Sequence, residues 1–316
     1  MKIMVTGGAG FIGSNVVDAY VAEGHDVIVV DNLYSGKVEN LNPGARFCLL
    51  DIRSGEMKKL LELERPEVIN HHAAQISVPY SVEDPRFDAD INIQGFVNIL
   101  ESARDTGVRK VIFISSGGAI YGEAEEYPTS ENCPVQPLSP YAIAKSVSED
   151  FLYFYRHQYG LDYTVLRYAN IYGPRQIPHG EAGVVAIFMD QLIAGKKCKL
   201  FHFPEDPAGM IRDYCFVEDI KDANVKALEK GSGQAFNIGT GIGTRTRDLF
   251  DKVFDALKER IELPQELADM ECHEARPGDL KRSCLNVEKA REGLGWQANY
   301  DLEQGLARTV DWRLGS

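Results

Sequence analysis

A phenol and an ammonium group stand four residues apart in the segment Tyr141-Ala142-Ile143-Ala144-Lys145, which begins a predicted helix just after a proline. Residues at positions i and i+4 share one face of a helix, so both side chains project to the same side. The pKa of a free tyrosine is about 10, and a nearby cation favours the phenolate. The pair therefore indicates an acid–base site, although the spacing alone is more typical of a solvated helix surface.

A glycine-rich turn supplies the context in which that pair becomes informative. Gly7, Gly10 and Gly13 follow a short apolar strand directly and open the first predicted helix. Gly7 permits a tight turn, Gly10 lets a pyrophosphate approach the backbone, and Gly13 lets the helix pack close to the sheet. The helix N-terminus adds free N–H groups and a partial positive charge. The sequence therefore predicts a dinucleotide site that includes Phe11 and Ile12.

Asp31 determines which dinucleotide this site prefers. It ends the second predicted strand, about 20 residues after the glycine turn, where an acid accepts hydrogen bonds from the ribose hydroxyls. A carboxylate there repels a 2′-phosphate, and the following Asn32-Leu33 offers no arginine to receive one. We therefore predict NAD rather than NADP.

The elements that must position these groups alternate between strand and helix. Helical stretches separate most of the apolar runs, which occupy residues 3–5, 26–30, 47–50, 68–69, 111–114 and 163–166. Buried strands that alternate with helices indicate a parallel sheet covered on both sides. We predict an α/β fold with a doubly wound parallel-sheet Rossmann domain over residues 1–169. A smaller C-terminal α/β substrate lobe follows over residues 170–316, with segments that return to the first domain.

Composition excludes several classes of protein. The 316 residues carry 34 Lys and Arg against 47 Asp and Glu, a net charge of −13, and 44% are hydrophobic. This is typical of a globular chain, and the acidity argues against a nucleic-acid partner. No apolar run approaches the ~20 residues that span a bilayer, and the first strand leaves no room for a signal peptide. The six scattered cysteines contain no Cys-x-x-Cys pair. We predict a cytoplasmic protein without a metal site or a membrane partner.

Motifs along nearly the whole chain resemble one family. The chain resembles the extended short-chain dehydrogenase/reductases, and within them the NAD-dependent sugar-nucleotide epimerases and dehydratases. The residues that carry the resemblance are 6–14, 31–33, 51–52, 72–75, 92, 121–122, 141, 145, 167–175, 212–214 and 276–279.

The resemblance implies a role for each matching residue. The catalytic residues are expected to be Tyr141 and Lys145. The expected cofactor contacts are Gly7, Gly10, Phe11, Ile12, Gly13, Asp31, Asn32, Asp51, Ile52, His72, Ala73, Ala74, Gln75, Asn92, Ser115, Tyr141, Lys145 and Tyr168. The expected substrate contacts are Asn170, Arg212, Tyr214, Arg276, Asp279 and Ser283. The two arginines form the local basic cluster that an acidic protein needs to bind a pyrophosphate, because guanidinium matches phosphate oxygens bidentately.

One position departs from the family pattern. The family's catalytic Ser or Thr stands four residues before the Tyr of a Tyr-Gly pair, and here that position is Gly117. Ser116 is the nearest hydroxyl, and we predict that it acts as a catalytic residue in its place. Dehydratases of the group carry an acidic pair in place of Gly118-Ala119, and UDP-glucuronate decarboxylases carry a Glu at position 119. Neither acid is present here.

The resemblance therefore implies reversible 4-epimerisation of a UDP-hexose through a transient 4-keto sugar and bound NAD. Two alternatives stay open in the sequence. One is a sugar-nucleotide 4,6-dehydratase, which Gly118-Ala119 disfavours. The other is a catalytically weak NAD-binding regulator of the same fold, which the glycine at position 117 allows.

Two further expectations concern specificity and assembly. Ser283 lies four residues after Asp279, where these epimerases place a wall beside the hexose 2-substituent. A tyrosine there admits only a hydroxyl, whereas serine leaves room for an N-acetyl group, so UDP-GlcNAc and UDP-GalNAc are expected substrates beside UDP-glucose and UDP-galactose. The alternative is that Ser283 only caps a turn. The resemblance also implies a homodimer formed by the helices that contain Asn92 and Tyr141.

Overall fold

A computed structural model of the chain describes residues 1–178, 183–276 and 279–315. Its strands are β1 (Lys2–Thr6), β2 (Asp26–Asp31), β3 (Arg46–Leu49), β4 (Val68–His71), β5 (Lys110–Ser116), β6 (Asp162–Tyr168), β7 (Asn170–Tyr172), β8 (Lys199–His202), β9 (Ile211–Phe216), β10 (Gln234–Ile238), β11 (Gly243–Arg245), β12 (Glu271–Glu274) and β13 (Arg282–Ser283). Its α-helices are α1 (Phe11–Ala22), α2 (Glu56–Glu64), α3 (Val78–Glu83), α4 (Pro85–Ala89), α5 (Phe96–Thr106), α6 (Pro140–Tyr159), α7 (Val184–Ile193), α8 (Val217–Ala227), α9 (Thr246–Lys258), α10 (Glu288–Leu294) and α11 (Leu302–Leu314).

Within the described ranges, seven parallel strands form the main sheet in the order β10-β6-β5-β4-β1-β2-β3. The strand β1 lies between β2 and β4, so the chain progresses outward from β1 in both directions along the sheet. This reversal opens a crevice at the carboxyl ends of β1 and β4, where such sheets bind ligands. The predicted doubly wound α/β fold is confirmed.

Helices cover both faces of the sheet because the strands are apolar on both faces. One face packs against α1, α8 and α10 in a core that includes Tyr20, Leu166 and Trp296. The other face packs against α2, α5 and α6 in a core that includes Phe96 and Leu152. Burying one such large apolar side chain stabilises the fold by roughly 1.5–3 kcal/mol, so these two layers hold the sheet ends in place.

Two details differ from the sequence-based picture. The run at residues 47–50 is not a buried central strand, because β3 lies at the sheet edge and leaves Phe47 36% and Leu49 66% exposed. The helix expected from Asn92 begins as a π-helical segment, Asp90–Gly95, and continues as α5.

The main sheet draws on residues beyond position 169. Strand β10 pairs with β6, and helices α8 and α10 pack on the sheet as well. The domain boundary between residues 169 and 170 stays a prediction. The main sheet itself contains strands from both sides of that boundary.

A smaller lobe has a hydrophobic core of its own. Its core joins α7, α9 and α11 to β9 through residues such as Phe188, Phe216 and Phe250. Strand β9 pairs with β7, β11 and β13, while β8 pairs with β12. Across the described part of the chain, helices that meet the length and hydropathy of a membrane span are absent.

Candidate active site

The start of helix α6 fixes where Tyr141 and Lys145 point. Ser139 caps the helix by accepting a hydrogen bond from the Ala142 N–H at 3.2 Å, and Pro140 occupies the first helical position. Tyr141 is therefore the second residue of the first turn. The Lys145 ammonium lies 5.8 Å from the centroid of the Tyr141 ring, so the two side chains share one face of the helix.

The Ser116 side chain lies close enough to Tyr141 to influence the ionisation of its phenol. Ser116 ends β5, which packs against α6. Burial raises the pKa of Tyr141 to about 12, and Ser116 opposes that rise because a hydroxyl can donate to the phenolate. The structure therefore brings together the two residues that the sequence analysis paired as proton carrier and replacement hydroxyl.

Burial has the largest effect on the Tyr141 pKa in this structure. The Lys145 ammonium donates to the carbonyl of Ile114 at 2.8 Å, and burial raises the Tyr141 pKa. Burial also lowers the pKa of Lys145 to about 8, against the opposing charges of Asp88 and Glu149. Desolvation outweighs the attraction between the two side chains in this enclosed site.

Close packing around position 117 explains why this residue is a glycine. A Cβ atom at Gly117 would lie 2.6 Å from Cδ1 of Leu285 and 3.1 Å from the carbonyl oxygen of Arg167. Leu285 is 1% exposed and packs with Ile120 and Tyr121 in a small core. The Leu285 side chain thus fills the space that a serine or threonine at position 117 would need.

A buried ion pair beneath the site was missed by the sequence analysis. Arg167 on β6 contacts Glu149 of α6 at 2.6 Å, and the two side chains are only 10% and 13% exposed. Ser115 donates to Glu149 at 2.6 Å, and Arg167 donates to the Tyr121 hydroxyl at 2.8 Å. Glu149 lies four residues after Lys145, and that repeat of the helical spacing is the signal that could have revealed it.

The glycine turn has the shape that a dinucleotide requires. Gly7 has φ +71°, and a Cβ there would lie 2.6 Å from the amide nitrogen of Ala73. A Cβ on Gly13 would lie 2.3 Å from the carbonyl oxygen of Gly7, so α1 approaches the turn closely. Gly10 is the N-cap of α1 and has no side chain to satisfy the N–H groups of the first turn. Phe11 and Ile12 contribute to this anion-binding end through their backbone, because their side chains pack into the cores.

The Asp31 carboxylate closes the same turn. It accepts from the Ala9 N–H at 3.0 Å and the Leu33 N–H at 2.8 Å. These bonds fix the carboxylate at the end of β2, and each oxygen retains lone-pair capacity for ribose hydroxyls. Its position fits the NAD preference predicted from the sequence.

The expected adenine pocket is held by polar contacts within the protein. Asn32 donates to Asp51 at 2.9 Å, and Arg53 forms an ion pair with Asp51 at 2.8 Å. Hydrogen bonds from Arg53 hold the pKa of Asp51 well below its usual range. Ile52 is 6% exposed and packs beside Gly95. Ile52 thus supplies an apolar wall, while the Asp51 carboxylate already has partners.

The segment from His72 to Gln75 forms the floor of the groove. The Nε2 atom of His72 is buried without a hydrogen-bond partner among the described residues, and burial lowers the His72 pKa to about 3. Ala73 and Ala74 are half-buried next to it. Gln75 donates its N–H to Asn92 at 2.9 Å, so Asn92 braces the groove by this bond. A buried unpaired nitrogen is the kind of atom that a bound polar ligand satisfies.

Two residues expected to contact the cofactor do so at most through their backbone. The Tyr168 side chain is 4% exposed in the core, where its hydroxyl accepts from Asn224 at 2.6 Å. Only its carbonyl, which accepts from the Gly118 N–H at 3.2 Å, reaches the active-site turn. The Ser115 hydroxyl is bound to Glu149. Tyr168 points to the sheet face covered by α8 and Ser115 to the face covered by α6, because side chains on a strand alternate between its two faces.

Arg212 provides a cation on a strand of the smaller lobe. It lies on β9, and its Nη1 donates to the Ile211 carbonyl at 2.8 Å rather than to a carboxylate. Burial lowers the pKa of Arg212, against weaker attraction from Tyr214 and Asp279. Among the described residues this guanidinium has a neutral carbonyl as its hydrogen-bond partner, and such a cation is suited to an anionic ligand.

Three expected substrate residues meet near Gly118. Strand β13 pairs with β9 so that Ser283 lies opposite Arg212. A Cβ on Gly118 would lie 3.2 Å from Oδ1 of Asn170 and 3.9 Å from Oγ of Ser283. Residues distant in the sequence are thus collected around the turn that carries Ser116.

Two other expected substrate contacts are engaged with each other. Arg276 forms an ion pair with Asp279 at 2.9 Å, and its guanidinium stacks 4.7 Å above the centroid of the Phe201 ring. Tyr214 is 5% exposed in the core of the smaller lobe, where it supports β9 instead of lining the crevice. The intervening motif residues Pro277 and Gly278 lie outside the described residues.

The residues of the groove fit NAD, and the described chain contains no group of three or more side chains that could hold a metal ion. Fold and site together define a Rossmann enzyme with a Tyr–Lys pair at the carboxyl edge of the sheet. The chain belongs to the NAD dependent epimerase/dehydratase family, whose model matches residues 3–239. Its cofactor is accordingly NAD.

Solved structures of the family superpose on nearly the whole chain. The UDP-glucose 4-epimerase of Thermotoga maritima with UDP-glucose is 47% identical, with a TM-score of 0.93, covering 100% of this chain and 99% of that one. The UDP-glucose 4-epimerase of Thermus thermophilus with NAD is 42% identical, with a TM-score of 0.92 and full coverage of both chains. The UDP-N-acetylglucosamine 4-epimerase of Methanobrevibacter ruminantium with UDP-N-acetylmuramic acid is 32% identical, with a TM-score of 0.90 and coverages of 99% and 98%.

Replacing Ser116 by alanine tests its contact with Tyr141. Losing one hydrogen bond to the reacting oxygens costs roughly 2–4 kcal/mol in the barrier, so we expect kcat to fall about 30- to 1,000-fold. Because Ser116 lowers the pKa of Tyr141, the tyrosine limb of the pH–rate profile should move to higher pH when Ser116 is replaced. The measurement is a pH profile of Ser116→Ala beside Ser130→Ala, which removes a hydroxyl bonded to Glu126 on an exposed loop. Wild-type kcat in Ser116→Ala would make Ser116 a loop residue without a catalytic role.

Proposed function

We propose that this protein is a reversible UDP-hexose 4-epimerase that uses tightly bound NAD. The observation that carries the proposal is that Ser116, which lies near Tyr141, belongs to the same turn as Gly118, where Ser283 and its strand partner Arg212 are found. Tyr141 can move a proton, and the Arg212 guanidinium can hold a pyrophosphate. The full-length similarity to UDP-glucose 4-epimerases supports this assignment.

In this proposal Tyr141 accepts the proton of the sugar 4-hydroxyl, and Ser116 donates to the same oxygen. NAD, when bound, supplies a reversible hydride acceptor for carbon 4. Arg212 and Arg276 hold the pyrophosphate while the 4-keto sugar turns over about its link to that group. Tyr141 then returns the proton to the oxygen on the opposite face. Lys145 stabilises the phenolate and binds the nicotinamide ribose.

The two alternatives have less support. A 4,6-dehydratase needs acids that eliminate water, and the positions that carry them in that group are Gly118 and Ala119. A regulator without catalysis needs no proton carrier beside a second hydroxyl, whereas Ser116 lies near Tyr141 here. The epimerase is therefore the function that the geometry favours.

Turnover of UDP-galactose tests the proposal directly. The wild-type protein should convert UDP-galactose to UDP-glucose in an assay coupled to UDP-glucose oxidation. Tyr141→Phe should lower kcat by a factor on the order of 10²–10⁴, because it removes the proton carrier, while NAD stays bound. Tyr155→Phe, on the same helix but bonded to Glu101, is the matched control. Inactive wild-type protein, or an active Tyr141→Phe, contradicts the proposal.

We further propose that the enzyme accepts N-acetylated sugars. The Ser283 hydroxyl lies near the turn at Gly118 and opposite Arg212, so its small side chain borders the space that the sugar is proposed to occupy. A pocket excludes a larger substituent by a clash, and serine offers little to clash with.

Ser283→Tyr tests this specificity. We expect the variant to lose activity on UDP-GalNAc by a factor on the order of 100, while its kcat/KM for UDP-galactose stays within about threefold, because only the larger substituent meets the ring. Steady-state rates on both substrates are measured, with Ser283→Ala as a control that retains both. A wild-type enzyme that turns over UDP-galactose and not UDP-GalNAc refutes the idea.

We also propose a homodimer formed through α6 and the helix that follows the π-helical segment. Tyr153 and Phe154 are 67% and 48% exposed on α6, which supports an apolar helix interface. Helix-to-helix packing of such side chains removes them from water.

The mass of the protein in solution tests the dimer. Tyr153→Lys should shift it from dimer to monomer in light scattering after size exclusion, since a charge in an apolar interface is costly to bury. Leu63→Lys, on α2 and 79% exposed, is the control and should leave the dimer intact. A monomeric wild type, or a dimeric Tyr153→Lys, contradicts the interface.

A cytoplasmic location is proposed on different grounds. All six cysteines are free thiols, and proteins of reducing compartments keep their cysteines in that state.

A further inference from the structure

Asp88 is a buried carboxylate that the proposed mechanism does not use. It lies on the short helix α4 and is 1% exposed. Its Oδ1 atom accepts from the side-chain amides of Gln75 at 2.8 Å and Asn92 at 3.0 Å. Its Oδ2 atom is buried without a hydrogen-bond partner among the described residues. Two neutral amides thus hold the carboxylate in place but do not neutralise it.

Lys145 presents the complementary situation on the neighbouring helix. Its side chain is nearly buried, 5% exposed, and its ammonium donates to the Ile114 carbonyl, which is also neutral. Helix α4 packs against α6, and the Asn92 carbonyl accepts from Ser148 at 3.4 Å, one turn beyond Lys145. Two opposite charges are therefore buried on helices that pack against each other, and among the described residues each is hydrogen-bonded to neutral groups. Isolated buried charges are costly, so each stabilises the other at a distance.

Other charged and titratable groups around Lys145 are less able to balance it. Glu149 is already paired with Arg167. His71 and His72 lie at the end of β4, and burial lowers the pKa of both, so they are neutral. Tyr141 is neutral until it gives up its proton. Asp88 is the acid that acts most strongly on Lys145, and it acts on Tyr141 as well.

We propose that Asp88 is a positioning residue for this active site: its fixed carboxylate is the counter-charge of Lys145 and sets the pH range in which the Tyr141–Lys145 pair transfers protons. The negative charge makes proton loss harder at both groups. It keeps the ammonium charged and delays formation of the phenolate. This role rests on the proposed epimerase function.

Asp88→Asn tests the role through the pH profile. The substitution keeps an oxygen that accepts from Gln75 and Asn92 and removes the charge. Both catalytic groups should then lose their protons more easily, so both limbs of the kcat profile should move to lower pH by about one unit. Both limbs should move to lower pH whether Tyr141 determines the acid limb and Lys145 the alkaline limb or the reverse. The kcat of each enzyme is first normalised to the value at its own optimal pH. At one pH unit above the midpoint of the wild-type alkaline limb, the normalised kcat of Asp88→Asn should be about tenfold below that of the wild type.

Controls separate this effect from a loss of structure. Glu83→Gln removes an exposed acid five residues away, and its limbs should not move, because solvent screens that charge. NAD content, read from the absorbance of cofactor released by denaturation, should stay unchanged in Asp88→Asn, since the groove contacts are kept. If Asp88→Asn does not fold, Asp88→Ser takes the same measurement.

The outcomes are distinct. Limbs that move together to lower pH support the role of Asp88. Limbs that stay in place, at whatever maximal rate, overturn it and make Asp88 a protonated structural residue. Inactive wild-type protein contradicts the proposed function instead, and an active wild type with unmoved limbs contradicts only this inference.

Discussion

The ion pair between Glu149 and Arg167 is the contact on which the active-site geometry depends. It joins the catalytic helix α6 to strand β6, and through Ser115 and Tyr121 it also holds the turn that carries Ser116. Leaving one partner of a buried pair alone costs several kcal/mol, so the two elements are held in one register. That register brings the Ser116 hydroxyl to the Tyr141 phenol.

Burial governs the electrostatics of the site more than pairing does. Burial raises the pKa of Tyr141 and lowers the pKa values of Lys145 and Arg212. Burial has this effect although the Tyr141 and Lys145 side chains share one face of α6. Among the described residues, the Lys145 ammonium and the Arg212 guanidinium are hydrogen-bonded to neutral carbonyls. Both cations therefore retain most of their attraction for a charged ligand. A chain with a net charge of −13 can in this way present a cation to an anionic substrate.

Packing accounts for the departure at Gly117. Leu285 arrives from a segment far along the chain and occupies the space next to this glycine, so a hydroxyl-bearing side chain does not fit there without displacing it. Interiors are filled closely, and the volume given to Leu285 is lost to position 117. The neighbouring Ser116 supplies the hydroxyl that contacts Tyr141 instead.

Local spacing is enough to predict the glycine turn, Asp31 at the end of β2, the helical face shared by Tyr141 and Lys145, and the alternation that builds the sheet. Tertiary packing decides that Tyr168 bonds to Asn224 of α8, that Glu149 pairs with Arg167, and that α4, which carries Asp88, packs against the catalytic helix. These contacts join residues from separate elements, and local periodicity carries no information about which distant side chains share a buried space.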